Sequence, residues 1–111
     1  MSGDVDRNFA ALKALHGASV LLKEGGQPVV LLPGLSFRGA CANVTMDVLL
    51  HPSAHSGYVT RLFFQRQIAE RGQNWTSHRV IEREWWAPSW NEVQPTLAWP
   101  SMLCAHLAAV K

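Results

Sequence analysis

Val5, Phe9, Leu12 and Leu15 recur at the spacing of one helix face, with Ala10, Ala11 and Ala14 between them. Asp4 stands where an N-cap belongs and Gly17 where a helix stops, so residues 5–16 are predicted to form an amphipathic helix. Two apolar runs follow, Ser19 to Lys23 and Val29 to Leu32, separated by Gly25-Gly26; this is the pattern of a β-hairpin. Pro33-Gly34 closes the second strand, and residues 35–43 read as loop. From Val44 the chain alternates strictly. Val44, Met46, Val48 and Leu50 take one face of a strand, and Thr45, Asp47, Leu49 and His51 take the other.

Residues 52–57 read as a turn, and Thr60 to Gln65 as a fourth strand rich in aromatic and β-branched residues. Residues 66–77 are polar and read as loop, and Arg79 to Trp86 as a short edge strand with Val80, Glu82, Glu84 and Trp86 on one side. Two prolines make residues 87–95 irregular, and Pro100 suits the first turn of a closing helix with the seam Leu103, Leu107, Val110. The fold class is therefore α+β: an N-terminal helix, a four-stranded antiparallel meander, an irregular Trp-rich segment and a C-terminal helix. Phe9, Leu21, Val30, Val48, Phe64 and Leu107 are the expected core.

At 111 residues the chain has room for one domain, residues 1–111, and 48% hydrophobic against 16% charged residues suffices for a core. A net charge of +2 defines no phosphate-binding surface, so nucleic acid is not an expected partner. No apolar run approaches the ~20 residues that span a bilayer, and the acidic N-terminus lacks a signal-peptide h-region. These features point to a cytoplasmic chain without a membrane partner, in which Cys41 and Cys104 are free thiols.

Five tryptophans stand out, and Trp75, Trp85, Trp86 and Trp90 cluster in one stretch. Packing is the first reading of such a cluster and a protein-binding surface the second, for which at least one of Trp85, Trp86 and Trp90 should be partly exposed. His51 and His55, or Cys104 and His106, have spacings that invite a metal reading, but no Cys-x-x-Cys pair supports one and phosphate-cradling motifs are absent. No metal or cofactor is expected. For covalent chemistry the thiols are the strongest nucleophiles at neutral pH. On a regular helix His106 points about 200° away from Cys104, so the two would not form a direct dyad.

This order of elements, closed by a Trp-Pro that opens a helix, resembles the ubiquitin-conjugating (E2, UBC-like) fold. Val44 to Leu50 looks like the third strand of such proteins, Tyr58 to Phe64 like the turn into the fourth, and Ala98-Trp99-Pro100-Ser101-Met102-Leu103 like their helix start. The chain is most similar to the compact bacterial members, found in antiphage-defence operons with a ubiquitin-like protein, an E1-like adenylating enzyme and a JAB-type peptidase. The resemblance implies a carrier that takes an activated ubiquitin-like protein from the E1-like enzyme and passes it to a target lysine. The family's His-Pro-Asn triplet and its cysteine eight residues before the Trp are missing: Asn91 and Ser89 lie there, and His78 falls near the triplet's histidine. The acyl acceptor implied is Cys104 or Ser89, with Asn91 or His78 as oxyanion donor and His78 as the base a serine would need; with neither acceptor, the chain is a silent adaptor that binds through its Trp-rich segment.

Overall fold

The computed structural model describes residues 2–38, 43–53, 60–66, 75–88, 93–94 and 96–108. Helix α1 spans Ser2–Leu15, and strands β1 to β6 span Val20–Glu24, Gln27–Arg38, Asn43–His51, Arg61–Phe64, Trp75–Val80 and Arg83–Pro88; helix α2 spans Trp99–Ala108. The strands form one antiparallel sheet in the order β1-β2-β3-β4-β6-β5. The class is thus α+β, with six strands where the hydrophobic pattern predicted a four-stranded meander and one short edge strand.

Each departure has a local cause. Helix α1 is already running at Asp4, so that residue is not its N-cap. Strand β2 does not stop at Pro33-Gly34 but passes through an irregularity between Leu32 and Leu35 and continues to Arg38. Gly34 absorbs the kink at φ +61°, and its N–H donates to Asp47 Oδ1 at 2.9 Å, so the expected loop of residues 35–38 is strand. Residues 39–42 lie outside the described residues, as do 54–57 of the predicted turn with 58 and 59 after it, the 67–74 part of the predicted loop, and Val110 of the predicted seam. Trp75 to Ser77, expected in that loop, begin β5. The single strand expected from Arg79 to Trp86 is a hairpin, turning at Ile81 (φ 47°) and Glu82 (φ 63°). That turn breaks the alternation and sends Val80 and Trp86 to opposite faces.

Both helices cover one face of the sheet. Leu12 of α1 and Trp99, Met102 and Leu103 of α2 close over Val30, Leu32, Met46, Val48, Leu50, Leu62 and Phe64. The start of α2 is tied to α1, because the Trp99 N–H donates to Asn8 Oδ1 at 3.0 Å. Ala98 accepts the first helical bond from Met102 at 2.8 Å, which places Pro100 in the first turn, where its missing N–H costs no bond. Val30, Val48 and Phe64 are buried as expected, while Phe9, Leu21 and Leu107 are half-buried against the same core.

The other face carries a second apolar cluster of Val29, Leu49, Phe63, Val80, Trp85 and Ala87. No helix covers it among the described residues. Instead the sheet curls: the Ile81 N–H at the tip of the β5–β6 hairpin donates to Glu24 Oε2 at the end of β1, at 3.0 Å. Arg83 lies over the Trp85 ring at 4.4 Å and pairs with Asp47 at 3.2 Å. Trp85, fully buried, donates its indole N–H to the Val80 carbonyl at 3.1 Å.

Candidate functional site

Polar side chains interrupt the apolar packing at one end of the sheet, around the start of β4. On the helix side, Thr60 Oγ1 donates to the Val93 carbonyl at 2.7 Å and lies 2.9 Å from His106 Nε2. A hydroxyl has one proton, and the carbonyl takes it; the imidazole therefore donates its own Nε2–H to Thr60. Burial, and secondarily the charge of Arg61, lower the His106 pKa to about 4, so the ring is neutral at physiological pH. Its hydrogen bond ties α2 to the segment before β4.

On the opposite face, Arg61 is 2% exposed, and so is stripped of nearly all its water. Its guanidinium lies 5.9 Å from the Phe63 ring and donates to Thr76 Oγ1 at 3.4 Å. Thr76 Oγ1 in turn lies 2.8 Å from His78 Nε2, and the His78 ring meets the edge of Phe63 at 5.6 Å. Desolvation first, and the Arg61 charge second, hold the His78 pKa below its ordinary value. His51 flanks Phe63 on its other side at 6.2 Å; its pKa is lowered by burial, and its Nδ1 lies 2.8 Å from the Ser53 carbonyl. Where β5 meets β6, Ser77, His78, Arg79 and Glu84 line an open pocket of about 210 Å³.

Cys104 lies within α2 and its side chain is exposed. His106, two residues on, is buried against Thr60, so the divergence expected of a regular helix is what the structure has. Among the described residues no hydrogen bond reaches the thiol, and none joins Cys104 to His78. His78 instead belongs to the β4–β5 cluster. Ser89, Asn91, Cys41, His55 and Trp90 lie outside the described residues, and no group of three possible metal ligands forms among the others. Of the remaining tryptophans, Trp85 and Trp99 are buried and Trp75 and Trp86 are half-buried.

Arg61, Thr60 and Thr76, the residues that organise these clusters, carry no sequence signal. Alternation along β4 assigns Arg61 to the face away from the helices, and only the curl of the sheet makes that face an interior. No helix is long and apolar enough to cross a membrane among the described residues. Comparison with known protein families, with curated proteins and with solved structures returns no match to this chain.

Proposed function

We propose that the chain is an E2-like carrier: it accepts an activated ubiquitin-like protein from an E1-like adenylating enzyme as a thioester on Cys104 and passes it to a lysine of a target, in antiphage defence. The reading rests on the resemblance of the sequence, and one structural observation supports the choice of residue. Cys104 is an exposed thiol on the helix that opens with Trp99-Pro100, so another protein's thioester can reach it. The Cys104 thiolate would attack the carbonyl of the incoming thioester and release the donor's thiol. In the second step the lysine amine would attack that carbonyl, form an amide and return the thiolate.

The half-buried rings of the Trp-rich segment favour a second reading, a catalytically silent E2-like adaptor that holds a partner through that segment. Trp75 and Trp86 are its available anchors. One experiment separates the two: incubation with the operon's ubiquitin-like protein, E1-like enzyme and ATP, followed by electrophoresis with and without thiol. A carrier gives a reductant-sensitive adduct that Cys104→Ala abolishes and Cys104→Ser converts to a thiol-resistant ester. An adduct that survives Cys104→Ala and vanishes with Ser89→Ala moves the acceptor to Ser89. No adduct with the unaltered chain leaves the adaptor.

A further inference from the structure

Strand β5 forms one edge of the sheet, and among the described residues no strand pairs with its outer side. Its register with β6 runs unbroken from Trp75↔Pro88 to Val80↔Arg83. Edge strands are commonly protected by proline, a bulge or charged side chains; β5 has no proline and no bulge, and Arg79 is its one charge. The hairpin geometry fixes which of its backbone groups point outward. A two-residue turn with positive φ at both positions closes on a hydrogen-bonded pair, here Val80↔Arg83, and hydrogen-bonded pairs alternate with non-hydrogen-bonded ones. Val80, His78 and Thr76 thus bond to β6, while the N–H and C=O groups of Trp75, Ser77 and Arg79 face outward.

We infer that a second copy of this chain pairs with that edge, antiparallel and centred on Ser77, so that the sheet continues across a two-fold axis. What carries the inference is the register that uses all three outward-facing positions and the side-chain match it makes. With Ser77 opposite its own counterpart, Trp75 falls opposite the partner's Arg79 and Arg79 opposite the partner's Trp75. All three positions are ones whose backbone groups face outward, so each pair can exchange both hydrogen bonds. The side chains match as well. Two small hydroxyls meet on the axis, a guanidinium faces a half-buried indole on each side of it, and no like charges stand opposite one another. Glu84, across from Arg79 in the same copy, keeps the strip electrically balanced. A strand of six residues is a small contact, and the dimer should be weak and concentration-dependent. The inference is independent of the acyl-carrier reading.

Because a residue on the axis meets itself, the test uses charge at Ser77, which is exposed. Sedimentation equilibrium over a wide concentration series should show the unaltered chain dimerising. Ser77→Asp and Ser77→Arg should each weaken association by about tenfold or more through like-charge opposition. Mixing the two variants should restore a heterodimer, a rescue that no distortion of the isolated chain would produce. Denaturation midpoints of both variants check that each is folded. A chain that stays monomeric throughout overturns the inference and leaves the edge to an extended segment of another protein. A dimer that both variants leave unchanged, or a mixture without rescue, overturns it equally.

Discussion

Phe64 shows what one side chain contributes here. It is 1% exposed and sits between Phe37 and Trp75, with ring centroids at 5.7 and 5.5 Å, while its backbone stands opposite both Val48 and Trp86. Truncation leaves a cavity bounded by two rings held in place by the sheet and unable to collapse. Phe64→Ala should therefore cost about 3 to 5 kcal/mol in chemical denaturation; a loss below about 1 kcal/mol would show that the ring does not pack as described. That Phe64 is core was legible from the alternation of its strand. That Arg61, three residues earlier, is buried was not, because a period-two pattern assigns a face and not the fate of that face. His78 was legible as a candidate, but its coupling to Thr76 and Arg61 depends on the pairing of β4, β6 and β5.

The β5–β6 hairpin is the element on which the second core depends. Its turn places Ile81, a β-branched residue, and Glu82 at positive φ, where L-residues lose roughly 1 to 2 kcal/mol each. Turns of this kind usually announce themselves as Asn-Gly or Asp-Gly. With Ile-Glu there instead, residues 79–86 read as one strand. Tertiary contacts hold the turn: the Glu24 carboxylate accepts the Ile81 N–H, and Ile81 packs against the cluster that includes Trp85. Glu24→Ala should leave that half-buried N–H without its acceptor and lower stability by about 1 to 2 kcal/mol, whereas Glu24→Gln, which keeps an acceptor, should lower it less. Equality of the two variants in urea denaturation would show that the hydrogen bond does not hold the hairpin.

At the scale of the whole molecule, the fold lowers the pKa of three imidazoles, those of His51, His78 and His106, with burial as the leading cause in each. A depressed folded-state pKa means that the unfolded chain binds protons first as pH falls, so stability is full above the ordinary value and declines through the window below it. For His106 the window runs from 6.5 to about 4. At about 1.4 kcal/mol per pH unit, its share of the decline is roughly 3 kcal/mol. Urea midpoints taken between pH 7 and pH 4 should fall with acidity for the unaltered chain and fall less steeply for His106→Asn. Parallel slopes would remove His106 from the account.

What the sequence determined by itself was the class and part of the main core, Val30, Val48 and Phe64 among it. Helical spacing gave α1, the strict alternation gave β3, Gly25-Gly26 gave the first hairpin, and Trp99-Pro100 gave the start of α2. These are local signals, written within a few residues of the element they specify. Tertiary structure decided the rest: that β2 continues past Gly34, that six strands share the sheet in an order placing β6 inside β5, and that the sheet curls until Glu24 reaches Ile81. The curl turns a nominal solvent face into a second interior, and it is this that buries Arg61 and draws it to Thr76 beside His78. Such contacts join residues far apart in the chain, Glu24 and Ile81 being separated by 57 positions. No short window of sequence contains both partners, and only the curled sheet brings them together.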